Sequence, residues 1–150
     1  MSMQLQAQLS ELNQRPRTIL VADDSDDLLT LMRAILSKWG WQVQTAEDGQ
    51  KAYERFLECQ PDIAIIDIGM PIMDGYQTAR ELRRTCTDRP YTLIALSGYC
   101  GEKDKELAIA AGFDFHMTKP ANFRALQELL ETCHMQINAS YQSVNTEIIL

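Results

Sequence analysis

Five short apolar runs alternate along the chain with segments whose apolar residues recur every three or four positions, and this alternation leaves few architectures open. A strand-then-helix order that repeats produces a parallel sheet with helices on both faces. The expected strands are Thr18–Asp23, Trp41–Ala46, Ile63–Asp67, Tyr91–Leu96 and Phe113–Met117. Between them, Ser25 caps a helix carrying Leu28, Leu31, Met32, Ile35 and Leu36 at helical spacing, and Gly40 ends it. A second helix starts at Asp48 or Gly49, turns Ala52, Tyr53, Phe56 and Leu57 to one face, and stops before Pro61. Gly75 opens a third through Ala79, Leu82 and Arg83 that must end before Pro90. Gly101–Ala111 reads as a polar fourth helix with Leu107, Ala108 and Ala111 as its apolar side and Gly112 as its C-terminal cap. Asn122–Met135 is the last, with Phe123, Leu126, Leu129 and Leu130 facing inward.

Residues 17–135 therefore form one α/β domain, flanked by an N-terminal extension (1–16) and a C-terminal tail (136–150). Leu5, Leu9 and Leu12 have helical spacing, but an isolated helix under about 12–15 residues is marginal in water, so the extension is expected to fray. The tail, ending in Ile148-Ile149-Leu150, is expected to fray as well. With 150 residues, 45% of them hydrophobic, the chain has room for one core and no second domain. Its net charge of -7 and lack of a basic stretch argue against sequence-independent nucleic-acid binding. Cys59, Cys86, Cys100 and Cys133 form no zinc-binding pattern and read as reduced, mostly buried fillers. Neither a signal peptide nor a run of eighteen apolar residues is present, so a soluble cytoplasmic protein without membrane contact is expected.

The C-terminal strand ends of an open parallel sheet form one rim, where ligands bind. Asp23 and Asp24 end the first strand, Asp67 the third, Ser97 follows the fourth and Lys119 the fifth. Three carboxylates together repel one another, and a hard cation such as magnesium relieves that conflict while sharing a phosphoryl group with the lysine. A carboxylate nucleophile, a divalent cation, a lysine and a hydroxyl suffice for phosphoryl transfer. Each residue alone has a plainer use: Asp23-Asp24 as a helix cap, Asp74-Gly75 as a turn, Ser97-Gly98 as a loop. Turn chemistry does not explain why all of them end strands on one rim.

Taken together, Asp23-Asp24, Asp67-x-x-Met70-Pro71-x-Met73-Asp74-Gly75, Ser97-Gly98 and Lys119-Pro120 resemble the response-regulator receiver domain, the phosphoacceptor module of two-component signalling, over about residues 17–135. The resemblance extends to single-domain chemotaxis-type regulators and, through Gly112-Phe113-Asp114-Phe115-His116, to receivers of hybrid histidine kinases. It implies a flavodoxin-like five-stranded sheet in the order 2-1-3-4-5 with five helices. It implies that Asp67 is phosphorylated, that magnesium is bound by Asp24 directly, by Asp23 largely through water, by Asp67 and by the Gly69 carbonyl, and that Lys119 pairs with the phosphoryl group. Ser97 would move its hydroxyl toward that group, and the Lys119-Pro120 bond would be cis. His116 stands where the family often has Tyr or Phe as a switch; it either swings in behind Ser97, with a charge that makes the switch pH-sensitive, or is a partly exposed strand residue. Tyr99 and Gly69 would flank the path of water to the acyl phosphate and tune its lifetime.

The expected role is regulatory, a domain promoting its own phosphorylation and dephosphorylation. The phosphoryl donor would be a sensor or hybrid histidine kinase or a histidine phosphotransferase. With no output domain expected after residue 135, the phosphorylated form would bind a downstream protein or pass the group on, through movement of the fourth helix and fifth strand. Two rivals stay open. A magnesium-dependent phosphohydrolase usually carries a second Asp two residues after its nucleophile, where this chain has Gly69. A pseudo-receiver would keep the fold as a protein-binding scaffold without phosphorylation.

Overall fold

The computed structural model describes residues 2–6, 16–98 and 101–149, with 142–149 as backbone alone. Five parallel strands lie in the order β2-β1-β3-β4-β5. They are β1 (Thr18–Ala22), β2 (Gln42–Ala46), β3 (Ile63–Asp67), β4 (Thr92–Ser97) and β5 (Phe115–Thr118). The crossovers are α1 (Asp26–Lys38), α2 (Gly49–Cys59), α3 (Gly75–Thr85) and α4 (Glu102–Ala111), and α5 (Phe123–Ile149) closes the domain. A helical stretch also covers residues 3–6; Leu9 and Leu12 lie outside the described residues.

The sheet divides the core in two. Leu20, Ala64, Ile66, Leu93 and Ala95 point to the side covered by α2, α3 and α4, whereas Ile19, Val21, Ile63, Ile65 and Ile94 point to the side covered by α1 and α5. Every residue of β3 and β4 is buried, as their near-continuous apolar runs require. Helix starts follow local chemistry. Ser25 caps α1 through the Leu28 N–H, Asp48 caps α2 through the Lys51 N–H, and Asp74 forms a reciprocal capping box with Gln77 at α3.

Two boundaries differ from expectation by more than one residue. Phe113 is not a strand residue: Gly112 adopts φ 112°, its N–H donates to Ile109, and the Phe113 N–H donates to Ala108, so Phe113 completes a Schellman cap on α4 and buries beneath it. Strand β5 accordingly starts at Phe115. Helix α5 does not stop at Met135, because no glycine or proline interrupts it and the buried stripe Leu126, Leu130, Cys133 continues through Ile137, 4% exposed, to half-buried Tyr141. The expected boundary at 135 thus falls inside a helix rather than at the start of a frayed tail. In α1 the buried face is Leu29, Met32 and Leu36, with Leu31 exposed; in α4 Leu107 is exposed and only Ala108 and Ala111 bury. Of the described cysteines, only Cys133 is fully buried, Cys59 and Cys86 being partly exposed. No described helix is long and apolar enough to cross a membrane.

Candidate functional site

The strand ends bring the predicted acids and base together. Asp23, just past β1, is 1% exposed; its Oδ1 accepts the Ser25 N–H at 2.9 Å and its Oδ2 accepts Lys119 Nζ at 2.7 Å. Asp67, the last residue of β3, is 7% exposed and lies 3.4 Å from the same ammonium through Oδ1. Asp24 is exposed beside them, and ligand oxygens of Asp23, Asp24 and Asp67 lie within 4.8 Å of one another. Ser97 is buried at the end of β4, and its carbonyl accepts the Lys119 N–H at 2.7 Å, fastening the lysine's backbone to that strand. The Lys119-Pro120 peptide is cis.

Charge governs the chemistry here. Burial, and then the neighbouring Asp23 carboxylate, push the Asp67 carboxyl above the ordinary carboxylate range against the pull of Lys119. Partial burial works to lower the Lys119 ammonium, but the hydrogen bond to Asp23 and the charges of Asp67 and Asp23 outweigh it, so the lysine is held charged above its usual range. Three carboxylates facing one ammonium leave negative charge uncompensated. Their oxygens are hard donors gathered within 4.8 Å of one another, somewhat wider than a shell of about 2.1 Å radius allows, so the side chains would have to rotate inward for one magnesium ion to touch all three. The donor set fits that ion. Gly69 stands two residues beyond Asp67 with its N–H toward Asp67 Oδ1 at 3.4 Å, and a Cβ there would meet nothing within 4 Å.

The other predicted residues fare differently. His116 lies on β5 in register with Ala95 and is only partly exposed; both its ring nitrogens are buried without a hydrogen-bond partner. Tyr99 lies outside the described residues. Asp74 is structural, as the cap of α3.

Sequence reading missed how the loop after Asp67 is fixed. Met70 is buried, the Gly75 N–H donates to the Ile68 carbonyl at 2.9 Å, and a Cβ on Gly75 would come within 2.6 Å of the Asp67 carbonyl oxygen. At Gly49 a Cβ would overlap the Met73 carbonyl oxygen, so two glycines let the loop pack against β3 and α2. Glycine at both places was visible in the sequence, but not the partners that demand it. Also unforeseen is an apolar groove of about 490 Å³ beside Lys119, walled by Leu28, Leu31, Leu96, Pro120 and Phe123.

Comparison with known proteins agrees with this geometry. A family model described as the response regulator receiver domain matches residues 19–131. The transcriptional regulatory protein YxdJ of Bacillus subtilis is 33% identical over 105 residues, which cover 70% of this chain and 44% of that protein. The chain thus spans about half the length of the curated relatives it matches. A signal receiver domain of a histidine kinase from Syntrophus aciditrophicus is 29% identical with TM-score 0.72, covering 80% of this chain and 91% of that one. The chemotaxis protein CheY4 of Vibrio cholerae shares the fold, with TM-score 0.73, 24% identity, and coverage of 79% of this chain and 98% of that one. A relative named as a transcriptional regulator gives no support to the expectation that nucleic acid is absent from this protein's partners. With the family model spanning the sheet and every rim residue, the chain belongs to the response regulator receiver domain family.

Proposed function

We propose that this domain accepts a phosphoryl group on Asp67 from a histidine kinase or histidine phosphotransferase and thereby changes what it binds. The observation that carries this reading is the Lys119 ammonium held 2.7 Å from Asp23 and 3.4 Å from Asp67 at the edge of a three-carboxylate cluster. An Asp67 oxygen attacks phosphorus as the bond from phosphorus to the donor breaks, giving an acyl phosphate. Lys119, kept charged by its two carboxylates, stands where it can pair with the incoming phosphoryl oxygens. Magnesium, held by Asp23, Asp24, Asp67 and the Gly69 carbonyl, would supply further charge neutralisation on those oxygens. The Ser97 hydroxyl closes on the product, and His116 follows it as the switch. Its buried, unpartnered ring nitrogens support a side chain suited to change position, since each lacks the bond that would fix it.

The test is intact-mass spectrometry after incubation with acetyl phosphate, with and without magnesium, beside Asp67→Asn. A magnesium-dependent gain of one phosphoryl group, absent from the variant, is the expected result. A folded protein that gains none would instead be a pseudo-receiver scaffold.

A further inference from the structure

Ile72 stands at the apex of the β3–α3 loop with φ 71°, a region that β-branched residues rarely enter. The Met73 N–H donates across it to the Pro71 carbonyl at 2.8 Å, closing a γ-turn of the strained, positive-φ kind. On both sides the loop is pinned, by buried Met70 before it and by the close packing of Met73 on Gly49 and of Gly75 on β3 after it. The side chain so presented is 81% exposed. Folding gains nothing from isoleucine here: glycine would remove the strain and asparagine would tolerate the backbone. Strain retained at an exposed apolar residue points to a use outside the fold.

Beside this apex a groove of about 580 Å³ runs between α2 and α3, lined by Ile72, Met73, Tyr53 and Arg80 together with the polar Gln50, Gln77 and Glu81. Its mixture of apolar, aromatic and arginine side chains is that of a protein-binding surface. We propose that Ile72 is the apolar anchor on which a phosphohistidine-bearing donor protein docks, lying across the loop apex and this groove. The assignment rests on the phosphoacceptor reading above. Position selects the occupant: the loop leaves directly from Asp67, whose carboxylate, 7% exposed, opens only at the rim. For transfer, the donor's N–P bond breaks as the Asp67 O–P bond forms, and the imidazole keeps the electron pair and is neutralised by a proton from water. A donor surface close enough for that covers the rim and meets the apex of the loop beside it. An anchor already held rigid loses little conformational freedom on binding.

The test uses the full chain with Ile72→Gly and Ile72→Asn, acetyl phosphate as small donor, and a panel of autophosphorylated histidine-kinase cytoplasmic regions as protein donors. Both variants are expected to melt at or above the parent temperature and to take label from acetyl phosphate at the parent rate. Transfer from any kinase that serves the parent is expected to slow by about tenfold or more, through KM, the size expected for losing one buried isoleucine side chain. Unchanged transfer overturns the proposal, as does a lower melting temperature, which would make Ile72 a folding residue. A parent labelled by acetyl phosphate but by no kinase removes a donor as the occupant. A parent that acetyl phosphate does not label overturns the phosphoacceptor reading itself.

Discussion

Asp67 carries its charge in an unfavourable place, and the consequence is measurable. Its carboxyl is raised first by burial and then by Asp23, so the folded state holds that proton more tightly than the unfolded chain does. The associated stability is fully present below the ordinary carboxylate range and is lost as pH rises through the raised value. At neutral pH, without magnesium, Asp67→Asn is therefore expected to melt several degrees above the parent. That advantage should shrink to nothing as pH falls below the carboxylate range, as a series of thermal melts would show. His116 is a second polar group in an unfavourable place. Its ring nitrogens are buried and unpartnered, so His116→Phe should stabilise the fold by about 1 kcal/mol or more in urea titration, whereas a loss of stability would show that the ring is satisfied after all. Identities alone marked Asp23, Asp24, Asp67, Ser97 and Lys119 as a set, because each ends an apolar run. What they did not disclose is that the lysine bonds Asp23 more closely than Asp67, a matter of where two strand ends stop relative to each other.

At the level of elements, legibility depended on whether the deciding contact was local. Ser25, Asp48 and Gly112 act within a few residues of themselves, and the helix ends they control were readable. Phe113 was misassigned to a strand because its apolar neighbours look alike in either role; two backbone hydrogen bonds back into α4 decide the matter. The β3–α3 loop depends on long-range contacts and was opaque. Gly49→Ala tests it: with the Met73 carbonyl in the way, the loop must shift, at a cost of about 1–3 kcal/mol. Slower labelling by acetyl phosphate should accompany that loss, since the same loop begins at Asp67. Unaltered stability and labelling would mean that the loop adjusts freely.

For the whole molecule, α5 runs on past residue 135 as one continuous helix. Ile137 is buried against the α1 side of the core, so Ile137→Ala should cost about 2–5 kcal/mol in chemical denaturation, as a core residue does and a tail residue does not. Magnesium should act globally too. Binding only to the folded carboxylate cluster, it should raise the unfolding free energy by about 2.7 kcal/mol at a hundred times its Kd, and Asp24→Asn should blunt the effect. The sheet order followed from the family likeness, while the two-sided core followed from the near-continuous apolar character of β3 and β4. Asp67 ends a strand flanked on one side by β1 and on the other by β4, and every residue of β3 is buried, with the Asp67 carboxylate opening at the rim. Amide protons along that strand should be among the last in the molecule to exchange with deuterium, opening only when the domain unfolds as a whole. The carboxylate at its end is thus mounted on the least yielding part of the protein, so under the proposed phosphorylation displacement would fall to the surrounding loops.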